Sequence, residues 1–191
     1  MSDPLRLSDV ALRRGHFALQ NGQHSDQRFD LIGLLQDGSA VESIGQMLAE
    51  MSRTTVGEMG SDIDLVVNAT PSSAVFADII GGMLGVHSVD ATDGMSAMTP
   101  PRARVLIVAD DVDAADQIQM LLPSLYAAGV HPIAAAVVAS RTPGLTSIEA
   151  EGREPIPLIA GITINMPTFD PADCPLCAAG EPIGAPGSSG R

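Results

Sequence analysis

Asp110 and Asp111 end the apolar run Val105-Leu106-Ile107-Val108-Ala109 and open a loop that continues Val112-Asp113-Ala114-Ala115-Asp116. An apolar run followed at once by two acids marks the carboxyl end of a buried parallel strand, the edge where open α/β sheets place their sites. Close carboxylates raise one another's pKa, so this four-acid loop could supply a general acid or base near neutral pH. It could also offer oxygen ligands to Mg2+ or Ca2+. A solvated acidic face is the commoner use of such a cluster. Arg141 closes a second apolar run, and a cation at a buried strand end needs an anionic partner, either a ligand carboxylate or one of these acids. His24, beside Ser25 and Asp26, offers chemistry titrating near pH 7. The three are not a Ser-His-Asp triad, because neighbours along a strand point to opposite faces.

The chain contains no lysine; its ten basic residues are all arginine. Arginine supplies a fixed charge but not a readily tuned proton donor. The cysteines are Cys174 and Cys177, in Cys-Pro-Leu-Cys. One CxxC offers two ligands where structural zinc takes four, so His24, His87 or a second subunit would have to complete a site. A local disulfide or two idle thiols is the plainer expectation, and no metal ligand is assigned. Met95, Met98 and Met120 are expected to fill core or loop gaps.

The totals narrow the classes. At 191 residues the chain is long enough to bury a sizeable core as one domain over 1–183, with 184–191 as a disordered tail. Apolar residues make up 45% and mean hydropathy is +0.21, so the chain reads as globular. No apolar stretch approaches the roughly 18 residues of a membrane span, and no charged-then-apolar leader opens it, so a cytoplasmic location is expected. A net charge of −13 repels nucleic acid and phosphorylated metabolites alike. The expected partner is a small molecule, with neither nucleic acid nor membrane.

The elements that must position these residues follow from periodicity. Asp9 to Arg14 predicts a short helix ended by Gly15, and Gly15 to Gly22 a hairpin strand and turn leading into His24–Asp30. Ser39 to Arg53 carries Val41, Ile44, Met47, Leu48 and Met51 at helical spacing. Strands are predicted at 64–68, 86–91, 105–108 and 133–139, with an edge strand at 157–165. Further helices are predicted at 72–84 and 116–128, with a partial helix at 147–153. Alternating strands and helices imply a parallel-core sheet flanked by helices, an α/β fold.

Taken in order, these pieces resemble the orotate phosphoribosyltransferases, of the type I phosphoribosyltransferase fold. Gly15-His16-Phe17-Ala18-Leu19, Gly22 and His24-Ser25-Asp26 resemble that family's amino-terminal pyrimidine hood, here about 15–33. Leu65 to Gly85 is similar to its pyrophosphate-loop strand and helix. Arg104 to Val112 resembles its ribosyl diphosphate motif, and Ala136 to Arg141 the strand whose terminal Arg meets the orotate carboxylate. Pro167-Thr168-Phe169 and Cys-Pro-Leu-Cys resemble bacterial members. The resemblance implies ribose contacts and Mg2+ at Asp110 and Asp111 and a homodimer, and the expected cleft is bounded by Phe17, Ser25, Arg28, Asp110, Asp111 and Arg141. Arg28 stands where the family usually has Tyr. His16 and His24 are explained by inheritance of the hood without catalysis; His24 is nonetheless a candidate catalytic group with Asp110 and Asp111, and Asp113 and Asp116 are candidate ligand contacts.

The departures fall on phosphate handling. Where the family closes its diphosphate motif with Thr-Thr-Gly, this chain has Ala114-Ala115-Asp116, which loses two hydroxyls and adds a carboxylate. Two lost charge-assisted hydrogen bonds and one repulsion amount to about 7–10 kcal/mol, on the order of five to seven decades in affinity. The pyrophosphate loop reads Asn68-Ala69-Thr70-Pro71-Ser72-Ser73, and Pro71 offers no amide. The family's catalytic Lys has no counterpart in the loop Thr92 to Pro100. The expectation is a homologue that has lost phosphoribosyl transfer and been repurposed, in a specialised biosynthetic pathway, to bind or transform another small molecule. A regulatory pseudoenzyme paired with a partner, and a working transferase, are the alternatives.

Overall fold

The structure, a computed structural model, describes residues 12–19, 22–91, 100–110 and 114–184, and of 114–116 the backbone alone. Two units are distinguished: Gly38–Thr163, and Met1–Asp37 together with Ile164–Arg191.

The larger unit is built on six strands: β3 (Leu65–Asn68), β4 (His87–Asp90), β5 (Arg104–Ala109), β6 (His131–Ser140), β7 (Ser147–Ile148) and β8 (Ile156–Thr163). Their order is β4-β3-β5-β6-β8-β7, parallel except for β7, which pairs antiparallel with β8. β5 lies in the interior of the sheet, and Val105 to Ala109 are fully buried. A parallel strand covered on both faces reads as a continuous apolar run, which is why its sequence shows no alternation.

Helix α2 (Gly38–Glu58) lies on β6 and β8 and packs against α3 (Ala74–Leu84). Two glycines permit this closeness. A Cβ on Gly45 would stand 2.6 Å from Ile79 Cγ2, and one on Gly161 would stand 3.0 Å from the Val138 carbonyl and 3.3 Å from Leu48. Helix α4 (Ala114–Ala127) sends Ile118, Leu122 and Leu125 into a cluster with Val105, Ile107, Val137 and Leu158. Odd-numbered β5 residues thus meet α4, as period-two alternation requires. The fold is α/β, a mostly parallel sheet with flanking helices.

The smaller unit holds the hairpin β1 (Leu12–Ala18) and β2 (His24–Phe29), a short helix α1 (Leu31–Gln36), and a carboxyl-terminal stretch with the one-turn helix α5 (Pro175–Ala178). His24 and Phe169 exchange backbone hydrogen bonds of 2.8 Å each way, adding the later segment to the hairpin. Asp30 caps α1 by accepting from Gly33 N (3.0 Å) and takes the Arg13 guanidinium (2.7 Å). The capping amide first, then Arg13, hold its carboxyl below the ordinary value.

Several expectations are corrected. Residues 12–14 belong to β1, not to a helix. Gly15 (φ 157°) sits in a register shift between Arg14 and Phe17, and a Cβ there would meet the Phe17 ring at 2.9 Å, so this glycine marks a bulge rather than a helix end. Residues 147–148 form β7, followed by a turn, where a partial helix was expected. β8 is not the edge strand, because β7 pairs outside it. Helix α1 was not anticipated; at six residues it is too short for periodicity to reveal. The segments 92–99, 111–113 and 185–191, on which other expectations fall, lie outside the described residues.

Candidate functional site

The carboxyl edge of the larger unit's sheet brings together Asp90 at the end of β4, Asn68 at the end of β3, Asp110 just past β5 and Arg141 just past β6. Parallel register sets this row: Asn68 lies opposite Asp90 on one side and Val108 on the other. The half-buried Arg141 follows Ser140, whose hydroxyl donates to the Thr142 carbonyl (3.2 Å) and accepts from the Thr142 amide (3.4 Å). That small turn carries the chain off β6 and places Arg141 at its apex.

Between Asn68 and α3 runs the loop Ala69-Thr70-Pro71-Ser72-Ser73. Three of its four backbone N–H groups are turned inward. The Ala69 amide donates to the Val108 carbonyl (2.8 Å), Thr70 N to Ser73 Oγ (3.3 Å), and Ser73 N to the Thr70 carbonyl (3.0 Å). Ala74 N returns to the Pro71 carbonyl, and Pro71 has no N–H. Ser73 Oγ, fully buried, also reaches the Thr70 and Val108 carbonyls. Ser72 alone turns its hydroxyl across the gap, donating to the Asp110 carboxylate.

Asn68 is buried, and its amide nitrogen lies 3.2 Å from the Thr70 carbonyl and 3.5 Å from Asp90 Oδ2. Those two acceptors orient the group, leaving Oδ1 buried with no hydrogen-bond partner. A lone buried acceptor carries a desolvation cost that a donor from a ligand would relieve. Asn68, Asp78, Ser88 and Asp90 line a cavity of about 150 Å3. Sequence reasoning passed over Asn68 and Ser72; their position directly after an apolar strand was the available signal.

This chain has the phosphoribosyltransferase fold. The solved orotate phosphoribosyltransferase from Aeropyrum pernix superposes with a TM-score of 0.65 at 21% identity, covering 84% of this chain and 93% of that one. Curated relatives named orotate phosphoribosyltransferase run nearly end to end. That of Heliobacterium modesticaldum is 26% identical, covering 93% of this chain and 92% of its own length. That of Chlorobium phaeobacteroides is 27% identical, covering 95% and 91%. No family model matches the chain.

Against that phosphoribosyltransferase background, the expected site residues divide. Asp110 and Arg141 stand at the sheet edge. Asp111 and Asp113 lie outside the described residues, and Asp116 falls in the first turn of α4, which begins at Ala114, two residues earlier than expected. The hood residues are engaged within their own unit. Phe17 is buried with the Arg28 guanidinium 4.9 Å from its ring centroid, a cation–π contact. Arg28 also lines a cavity of about 440 Å3 with Arg13, Asp30 and Ile32. Ser25 is fully buried, donating to the Pro167 carbonyl (2.7 Å) and accepting from Gln27 N (3.2 Å).

His24, a candidate for proton transfer, has instead a crowded ring. Its Nδ1 lies 3.0 Å from His16 Nε2 and 3.2 Å from Cys177 Sγ. Cys174 Sγ and Cys177 Sγ lie 3.5 and 3.6 Å from His16 Nε2. Both cysteines are free, so the expected disulfide is not formed, and both thiols have partners. His87 is on β4 in the other unit, outside this group. Cys177 is an exposed residue whose sulfur nonetheless faces the two rings; desolvation first, then hydrogen bonding and repulsion from Cys174, hold its thiol above the ordinary value.

Proposed function

We propose that this protein keeps the orotate phosphoribosyltransferase scaffold but does not use phosphoribosyl diphosphate, and that its sheet edge binds or transforms another small molecule. The observation that carries this is the inward commitment of the loop after β3. A diphosphate cradle needs backbone N–H groups pointing outward at the ligand. Here three of the loop's four amides, those of Ala69, Thr70 and Ser73, are taken by the protein, as is that of Ala74 after it. Pro71 supplies none, which leaves Ser72 N–H as the single amide of the loop without such a bond.

What the edge offers instead is acceptors. Asn68 Oδ1 and the carboxylates of Asp90 and Asp110 suit the hydroxyl or amine groups of a ligand, and Arg141 suits a carboxylate. A neutral or cationic polyol or amine with one carboxylate fits that set; a diphosphate meets repulsion. Asp110, which accepts from Ser72, is the carboxylate on this edge that would hold Mg2+, an ion that prefers oxygen ligands. The reading includes a homodimer, which light scattering checks; a mass near 19.7 kDa at micromolar concentration would remove that part.

The deciding experiment is calorimetry with phosphoribosyl diphosphate, magnesium and orotate, for which no saturable heat is expected below about millimolar concentration. A dissociation constant of about tens of micromolar, or any formation of orotidine monophosphate, would restore an ordinary transferase. Native mass spectrometry of freshly purified protein is expected to show a co-purified small molecule.

A further inference from the structure

His16, His24, Cys174 and Cys177 present four ligand atoms that all lie within 4.8 Å of one another. We infer that they form a structural zinc site, closing the hairpin β1–β2 onto the carboxyl-terminal segment. The inference does not depend on which molecule the sheet edge binds.

The distances match a metal-centred tetrahedron. With Zn–S near 2.3 Å and Zn–N near 2.05 Å, tetrahedral geometry puts sulfur and nitrogen about 3.6 Å apart and two nitrogens about 3.3 Å apart. Three of the four sulfur–nitrogen separations are 3.5, 3.6 and 3.2 Å, the nitrogen–nitrogen separation is 3.0 Å, and the remaining pairs lie within 4.8 Å. Two thiolates and two imidazoles favour zinc over the oxygen-seeking magnesium or calcium.

The surrounding hydrogen bond points the same way. His16 Nδ1 lies 2.7 Å from the Glu181 carbonyl. A carbonyl only accepts, so Nδ1 carries the proton and Nε2 turns a lone pair into the cluster. Metal-bound histidines are held by this kind of outer contact. His16, His24 and Cys174 are buried, three and seven per cent exposed for the histidines and two for Cys174. Without a cation, two imidazole rings and two thiols would crowd one point with too few protons to satisfy every contact.

The position suits a staple. The ligands come from β1, β2 and the two ends of Cys-Pro-Leu-Cys, some 158 residues later in the chain. The same two segments are joined by the His24–Phe169 backbone pair and by Gly184 N donating to the His16 carbonyl (2.6 Å). All four positions are filled by protein, which marks the site as structural rather than catalytic.

Metal analysis of the full chain, purified without chelator or histidine tag, should find about one zinc per chain. After exchange, cobalt should give the intense visible bands of a tetrahedral ion and a thiolate-to-cobalt charge-transfer band. Cys177→Ser should weaken zinc binding by at least about 100-fold. If that variant does not fold, the cobalt spectrum of the unaltered chain decides alone. Zinc below about a tenth of an equivalent with no tetrahedral cobalt spectrum after reconstitution would overturn the inference. So would a Cys174–Cys177 disulfide in the metal-free chain, or full zinc retention in the folded Cys177→Ser variant.

Discussion

The hydroxyl of Ser72 donates to the carboxylate of Asp110, tying the loop after β3 to the end of β5. Ser72 sits where a phosphate-binding loop would face its ligand, and it is spent on an acid that the resemblance gives to the ribose. The contact links the loop to the neighbouring strand end through one expected ligand group, Asp110. Ser72→Ala should lower stability by about 1–2 kcal/mol, the range for a charge-assisted hydrogen bond near solvent. The urea midpoint reads this; an unchanged midpoint would mean the contact contributes nothing in solution.

Restoring Thr-Thr-Gly at Ala114-Ala115-Asp116 should raise affinity for phosphoribosyl diphosphate, since it removes one like charge and returns two donors. Turnover should stay absent, because the chain still has no lysine. Calorimetry and an orotidine monophosphate assay separate these results. Recovery of turnover would show that the diphosphate loop, not the lysine, was decisive.

Gly45→Ala should destabilise the larger unit by about 1–3 kcal/mol, the usual cost of overpacking. Its Cβ would stand 2.6 Å from Ile79 Cγ2 and 3.0 Å from Ile79 Cβ, and a β-branched side chain has little freedom to retreat. Adding Ile79→Val should recover part of the loss. Thermal unfolding of the single and double variants checks both.

Asp64 accepts three hydrogen bonds from Arg104, which lower its pKa from 3.8 to about 2. A depressed carboxyl pKa adds stability that is fully present above the unfolded value of 3.8 and is lost as pH falls through about 2. Both side chains are over a third exposed, so solvent screening limits the effect to about 1 kcal/mol or less. Asp64→Asn should flatten stability against pH between about 4 and 2 and leave the neutral-pH slope unchanged.

The parallel sheet was legible in the sequence because its interior strands are short apolar runs stopped by a polar residue, although β4 (His87-Ser88-Val89-Asp90) at the edge is not. Val105 to Ala109 is the clearest, and burial of both faces explains its lack of alternation. Asp110 and Arg141 could be placed at the sheet edge for the same reason: a strand end locates its own last residue. Local chemistry misled where one residue serves two purposes. Gly15 reads as a helix stop but makes a strand bulge, because what needs its missing Cβ is the Phe17 ring.

The His–Cys cluster was legible only in part: Cys174, Cys177 and His24 stood out as possible ligands, and His16 did not. Cys-Pro-Leu-Cys supplies half of a tetrahedral set by spacing alone, and nothing local says which of the four histidines completes it. His16 and His24 come together through the hairpin, and the cysteines join them through the Phe169 bridge, so the grouping exists only after long-range pairing. The orphaned Oδ1 of Asn68 and the inward amides of the loop after β3 were hidden for a like reason. Sequence fixes which donors and acceptors a segment owns; tertiary contacts decide which of them are already used.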